Sequence, residues 1–256
     1  MNPPEVSLVI PAYNEEARLG PTLDALLAFL EGREWDWEVV VADDGSRDRT
    51  PEIVRVYAER WPRVRLLRLS HGGKGWAVRH GMLSARGRFR ILCDADLAMP
   101  PEYLPALLEP CRQGYAIALG SREAPGARRV GEPPHRHWMG RAFNLLVRRL
   151  AVPGIQDTQC GYKCFTAEAV SALFPYQRVK GFAFDVEVLY LARKQGLPMV
   201  EVPIEWHHRR ESKVRPLVHT LTILAEVLSV RWNDLRGRYR RPLPAEAQEP
   251  ARTRTP

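Results

Sequence analysis

Two aspartates separated by one residue, Asp94-Ala95-Asp96, follow the run Arg90-Ile91-Leu92-Cys93. Carboxylates at i and i+2, exposed at the end of a buried strand, can coordinate Mg²⁺ or Mn²⁺ and leave positions for diphosphate oxygens. A turn or helix cap is the plainer use of such a pair, so its surroundings matter. Asp43-Asp44-Gly45-Ser46 ends a second apolar run, and Pro11-Ala12-Tyr13-Asn14-Glu15-Glu16 ends the first one in the chain. In an open parallel sheet, ligands bind outside the carboxyl ends of the strands, which would put all three clusters on one rim. Acidic side chains there can read a base edge and ribose hydroxyls, but they can hold a diphosphate only through a cation. Gly72-Gly73-Lys74-Gly75 is a glycine-rich turn with a lysine. It does not match G-x-x-x-x-G-K-[ST], so an ATPase phosphate loop is excluded.

The elements that must position these residues alternate between strand and helix. Val6–Pro11, Glu38–Ala42, Val64–Leu69, Phe89–Cys93 and Ala116–Gly120 read as short buried strands. Between them, Leu19–Leu30, Pro51–Trp61, Trp76–Ala85 and Pro101–Cys111 carry helical signals. Repeated units of this length predict an α/β fold with a mostly parallel sheet covered on both faces. After Gly120 the pattern breaks into a long polar connection, Ser121–His137, of a length usually associated with function or mobility. Helical signals return at Trp138–Leu150, Phe184–Lys194 and Leu217–Leu235, with a strand at Pro198–Trp206. The reading is one domain over residues 1–241, with a site-bearing half to about residue 120 and a second half beyond it. The Pro- and Ala-rich tail, residues 242–256, is expected to be disordered.

The 256 residues are 45% hydrophobic and 27% charged, which excludes disorder over the whole length. No run of apolar residues is long enough to span a bilayer, and Met1–Ser7 lacks the pattern of a signal peptide. Cys93, Cys111, Cys160 and Cys164 form no C-x-x-C pair and match no common zinc spacing. They read as reduced thiols in a cytosolic protein. The net charge of +8 is concentrated in two segments, Arg122–Arg149 and Ile204–Arg241, each with an excess of five positive charges. That pattern suggests an anionic partner, although 33 of the 38 basic residues are Arg, a bias that weakens the inference from charge alone. Nucleic acid is disfavoured, because no recognised binding motif is present and the acidic rim would repel a polyanion.

The ordered segments V-S-L-V-I-P-A-Y-N-E-E, V-V-V-A-D-D-G-S-R-D-R-T, G-G-K-G-W-A-V-R-H-G and C-D-A-D-L-A resemble inverting family 2 glycosyltransferases of the GT-A fold. D-T-Q-C-G-Y-K, F-A-F-D-V-E and Trp206-His207 followed by Ser212-Lys213 are similar to the branch that glycosylates dolichyl and other polyprenyl phosphates. The resemblance covers about residues 6–235. It implies a Rossmann-like sheet with an acceptor-side helical extension at the C-terminal end. It implies that Pro11, Tyr13, Glu15, Asp43 and Asp44 contact the nucleoside, with Gly73 and Lys74 close by. Asp94, Ala95 and Asp96 would lie along the diphosphate, with Asp94 and Asp96 holding Mg²⁺ or Mn²⁺. Related mannosyltransferases use a Gln two positions after the second Asp as a further ligand. Here that position is Ala98, so water or a later residue such as His207 would replace it.

Arg122 and Arg136 resemble the family's pair for the lipid phosphate, with Arg128 and Arg129 as alternatives; arginine suits the task by bidentate, permanently charged contacts. The family often has Ser four residues after the second arginine, where this chain has Gly140. The donor implied is a nucleotide sugar, UDP-glucose first, with GDP-mannose and other sugar nucleotides as alternatives. Asp96 and Asp185 are the candidate catalytic residues. A phosphate acceptor is largely dianionic at neutral pH and needs no strong base, so Asp185 reads as a positioner first and a base second; a helix N-cap is its structural alternative. A family 2 enzyme acting on a glycan or small-molecule hydroxyl is the rival, and it requires Asp185 as base. The Leu217–Leu235 helix, with Trp232 and Arg-rich flanks, could lie in the headgroup plane of an anionic membrane, pack in the core or join two copies of the chain. The expectation is a cytoplasmic enzyme attached peripherally to the membrane.

Overall fold

The computed structural model describes residues 3–131, 147, 149, 151–207 and 216–239. Nine strands are present among them: β1 Val6–Ala12, β2 Trp37–Asp43, β3 Val64–Arg68, β4 Phe89–Leu92, β5 Ile117–Ser121, β6 Arg128–Val130, β7 Lys163–Thr166, β8 Met199–Pro203 and β9 Glu205–His207. The helices are α1 Leu19–Glu31, α2 Thr50–Arg60, α3 Lys74–Ser84, α4 Leu104–Arg112, α5 Ala167–Leu173, α6 Phe184–Lys194 and α7 Pro216–Leu235. Short 3-10 turns, Pro101–Tyr103 and Phe174–Tyr176, precede α4 and follow α5.

Seven strands form the central sheet in the order β3-β2-β1-β4-β7-β5-β8. All neighbours are parallel except β7, which runs antiparallel to both β4 and β5. Every residue of β1 and β2 is buried, because helices cover both faces. On one face Leu8, Ile10, Val39, Val41 and Ile91 pack against the leucines of α1 and α4. On the other, Val9, Val40, Ala42 and Leu92 meet α3, α5 and α6. The helix stripes follow from spacing: Leu19, Leu23, Leu26, Leu27 and Leu30 are the buried leucines of α1. β6 and β9 pair separately as a small parallel ribbon, Arg129 opposite Trp206.

The sheet brings the polar clusters together as expected. β1 lies between β2 and β4, so the segments after Ala12, Asp43 and Leu92 leave the same edge side by side. The reversed β7 begins at this edge, delivering residues 157–163, while β5 ends there and delivers Arg122. Three elements depart from the sequence reading. The Pro198–Trp206 strand is two strands, β8 and β9, belonging to different sheets. β6 interrupts the connection read as polar loop, and β7 with α5 occupies a stretch read without structure. The Trp138–Leu150 helix lies almost wholly outside the described residues, as do Arg136, Gly140, Ser212, Lys213 and the 242–256 tail.

Candidate functional site

A cavity of about 660 Å³ opens at the carboxyl edge of β1, β2 and β4. Its wall includes Pro11, Tyr13, Glu15, Asp44, Gly73, Lys74, Asp94, Ala95, Asp96 and Arg122 from the sequence reading. Asp43, Asp185 and His207 are not part of that wall, and Arg136 lies outside the described residues. A second depression, lined by Trp35, Trp37 and Trp61, carries none of the clustered aspartates.

Tight turns build the end of the cavity beside β1 and β2. Asn14 and Leu97 adopt φ of 53° and 44°, and no other non-glycine among the described residues has positive φ. Both adjoin the rim, where strained backbone is commonly found at functional sites. Asn14 is held by Ser46 Oγ on its N–H (2.8 Å), and its Oδ1 accepts from Arg47 N (2.9 Å). Asp44, nearly fully buried, accepts from the N–H groups of Gly72 and Gly73 at 2.8 and 2.9 Å. It thereby fixes the glycine-rich turn, in which Gly73 has φ 107°. Asp43 stands behind this wall, closing the turn through Ser46 N; burial raises its pKa against that bond and the Arg68 charge. Its other oxygen, Oδ2, is buried without a hydrogen-bond partner among the described residues.

The part of the cavity after β4 carries the acidic pair. Lys74 Nζ donates to Asp94 Oδ1 at 2.7 Å. Burial raises the pKa of Asp94, but Lys74, Lys163 and Arg122 outweigh it and hold the carboxylate ionised. Asp96 shifts the other way, upward, through burial and then the charge of Asp94. Thr22 Oγ1 donates to Ala95 O at 2.7 Å and anchors the segment between them. Gly161 lies against Asp94: a Cβ there would sit 1.8 Å from Oδ2.

The donor set tests the fit to a divalent cation. Asp94 and Asp96 are hard oxygen ligands, both partly exposed to the cavity, and their mutual repulsion is relieved by a cation. Water and diphosphate oxygens would complete such a shell. No group of three His, Cys, Asp or Glu side chains converges among the described residues. His207 is not a third ligand in this arrangement: its Nε2 meets Glu205 Oε1 at 2.8 Å, while its N–H donates to Ala98 O.

At the far wall Arg122 is clamped. Its Nε and Nη2 meet the two oxygens of buried Asp157 at 2.7 and 2.8 Å, and its own N–H donates to the same carboxylate. Burial pushes Asp157 up, but the Arg122 charge and hydrogen bonds dominate and bring it to about 2. The guanidinium also lies over the Trp206 ring, 5.5 Å from its centroid. Of the alternative arginines, Arg129 pairs with Glu123 at 2.6 Å and Arg128 is exposed near Glu205.

Behind the acidic pair, Lys163 is almost fully buried and donates to Asp185 Oδ1 at 2.6 Å and to Cys160 O. Asp185 is raised by burial, with Lys163 and Lys74 opposing. It sits in the first turn of α6, whose N-cap is Ala183, so neither a cap nor a wall contact describes it. Its salt bridge to Lys163 places it behind the cavity wall, within the field of Lys74 and Asp94.

Sequence reasoning missed several wall residues. Arg18 forks onto Glu15 at 2.7 and 2.8 Å and approaches Asp96 to 4.0 Å. The Glu15-to-Arg18 spacing of i, i+3 was its available signal. His71 stacks on Tyr13 with centroids 4.3 Å apart, and its Nδ1 lies 2.9 Å from Asp44. Gln159, Gly161, Phe182 and Trp206 also line the cavity; they fall in the segments that carry the family resemblance, but the sequence reading gave them no role in the site.

Comparison with known proteins shows the family and the fold. The Glycosyl transferase family 2 model matches residues 7–174. Dolichyl-phosphate beta-glucosyltransferase ALG5C of Trichomonas vaginalis is 40% identical over 228 residues, covering 84% of this chain and 68% of that protein. The Homo sapiens dolichyl-phosphate beta-glucosyltransferase is 36% identical over 251 residues, covering 92% and 78%. Among solved structures, glucosyl-3-phosphoglycerate synthase of Mycobacterium tuberculosis with Mn²⁺, UDP-glucose and phosphoglyceric acid has a TM-score of 0.66 at 20% identity, covering 94% of this chain and 81% of that one. Mannosyl-3-phosphoglycerate synthase of Rubrobacter xylanophilus has a TM-score of 0.68 at 18% identity, covering 92% and 75%. These structures share the GT-A fold.

Proposed function

The chain belongs to glycosyl transferase family 2, and from that membership we propose that it moves glucose from UDP-glucose to a polyprenyl phosphate of the dolichyl type, inverting the anomeric carbon. The observation that carries the proposal is the convergence of Asp94, Asp96, Lys74 and Arg122 on one cavity. The names of the relatives support the donor sugar and the acceptor.

Tyr13, Asp44 and His71 form the nucleoside end, where Asp44 is already fixed by the Gly72–Gly73 turn. Asp94 and Asp96 would hold Mg²⁺ or Mn²⁺, which when bound neutralises charge building on the leaving diphosphate. Lys74 orients Asp94 and adds a permanent positive charge beside the same oxygens. Arg122, held rigidly by Asp157, is assigned to the acceptor phosphate; Arg136, assigned with it by resemblance, lies outside the described residues. The acceptor oxygen attacks the anomeric carbon as the bond to the diphosphate breaks on the opposite face. A phosphate monoester has its second pKa near 6, so it reaches the site mostly as the dianion and surrenders no proton. A hydroxyl acceptor would need a general base within reach. Asp185, the residue required by that rival, is paired to Lys163 behind the wall.

No helix among the described residues is long and apolar enough to cross a membrane. The acceptor lipid is reached from the cytoplasmic face by peripheral contact through α7. Leu228, Trp232 and Leu235 are exposed at i, i+4 and i+7, flanked by exposed Arg231 and Arg236, a pattern suited to anionic headgroups. A homodimer is the other occupant that this stripe admits.

Calorimetric titration of UDP and GDP in the presence of Mn²⁺ tests the donor. UDP should bind at least about tenfold more tightly than GDP, by about 1.4 kcal/mol. Equal affinities, or binding indifferent to chelation of the metal, would contradict the assignment.

A further inference from the structure

We propose that Glu226 of α7 is a positioning residue that sets the 177–183 segment, and through it the Gly73–Lys74 turn and the Phe182 wall of the cavity. The inference rests on the proposed transferase site, but its first test does not use the reaction.

Residues 177–183 join the 3-10 turn Phe174–Tyr176 to α6, and two carboxylates from separate helices hold their backbone. Glu187 of α6, fully buried, accepts from Arg178 N at 2.9 Å and Val179 N at 2.7 Å, and from Tyr239 Oη. Glu226 accepts from Ala183 N at 2.9 Å and from the N–H of Phe182. Its seat is specific: a Cβ at Gly181 would lie 1.9 Å from Glu226 Oε1, so the carboxylate occupies the space that any other residue would fill. Neighbouring Val227 and Val230 are buried in the core and lock the helix beneath it.

The segment so held presses on the glycine-rich turn. Trp76 N donates to Lys180 O at 3.2 Å, and Gln177 Nε2 donates to Gly75 O at 2.8 Å and Val179 O at 3.0 Å. Added Cβ atoms at Gly73 and Gly75 would lie 2.6 Å from Lys180 O and Val179 O, so the two strips of backbone are in direct contact. The turn carries Lys74 to Asp94 and offers its Gly72 and Gly73 amides to Asp44. Phe182, between Gly181 and Ala183, lines the cavity. A displacement of α7 at Glu226 therefore reaches both ends of the donor site through one segment. Misplacement of such groups by about 1 Å can cost on the order of 100-fold in rate.

Amide hydrogen exchange on the full chain tests the coupling without substrate. In Glu226→Ala, Phe182 and Ala183 should lose protection, and Gly72, Gly73 and Trp76, which Glu226 does not touch, should exchange at least about tenfold faster. Amides of β1 should be unchanged. Glu226→Gln keeps one acceptor oxygen with two lone pairs and should restore most of the protection. Gly181→Ala, which displaces the carboxylate without removing it, should reproduce the alanine variant, and combining the two should add little. In the transfer assay, Glu226→Ala should lower kcat about tenfold beyond any loss of folded protein, with Glu226→Gln within about threefold of wild type. Exchange confined to Phe182 and Ala183, or a Gln variant no better than Ala, would overturn the proposal. If wild type transfers nothing to lipid phosphate, the functional reading fails, and the exchange pattern alone decides the role of Glu226.

Discussion

Asp94 is shaped from two directions, by the Lys74 ammonium on one oxygen and by the missing side chain of Gly161 beside the other. Gly161→Ala should turn the carboxylate and weaken metal-dependent UDP binding by about 10- to 100-fold, the usual scale for supporting residues at a metal site. The thermal midpoint should move little, and calorimetry with a melting curve on the same sample checks both. Asp157 carries a different expectation. Its pKa of about 2 lies below the unfolded value, so the Arg122 pair stabilises the fold fully above about pH 4 and loses that contribution as the pH falls toward 2. The contribution is about 2 kcal/mol. Urea unfolding should show wild type well above Asp157→Asn at pH 7 and the two converging near pH 2; a constant gap would contradict the pairing. These aspartates were legible unequally. Asp94 and Asp96 stood out because two carboxylates ended an apolar run, whereas Asp157 sat in a segment with no periodic pattern, and only the antiparallel return of β7 puts it under Arg122.

At the scale of elements, β1, β2 and β5 were readable because strands buried on both faces are written as largely apolar runs bounded by turn residues. β7 was not: its four residues, Lys-Cys-Phe-Thr, begin with a lysine that would signal solvent. That lysine is buried because Asp185 and Cys160 O neutralise and bond it, a tertiary fact absent from local sequence. The β6–β9 ribbon escaped for a similar reason, since three-residue strands carry almost no pattern. α7 was legible as an amphipathic helix, but its partners were not. Val227 and Val230 face the core while Leu228, Trp232 and Leu235 remain exposed. Leu228→Ser with Trp232→Ser should reduce sedimentation with anionic vesicles at least about tenfold. Turnover of a short, water-soluble polyprenyl phosphate should be unchanged. Loss of both together, or a shift in oligomeric mass with vesicle binding intact, would assign the stripe to a different contact.

For the molecule as a whole, the excess positive charge lies after residue 121, while the first 100 residues bring their carboxylates to one rim of the sheet. This division suits a cation-assisted leaving group on one side and an anionic nucleophile on the other. It separates the two acceptor classes, because a dianionic phosphate needs arginines and a hydroxyl needs a base. The most direct measurement is transfer from radiolabelled UDP- and GDP-sugars to a short polyprenyl phosphate with Mg²⁺ or Mn²⁺, followed by organic extraction. Label should enter the organic phase from UDP-glucose, and Asp96→Ala should lower it by at least about 100-fold. Absence of lipid label despite metal-dependent UDP-glucose binding, with label instead on a hydroxyl acceptor and lost in Asp185→Asn, would contradict a phosphate acceptor.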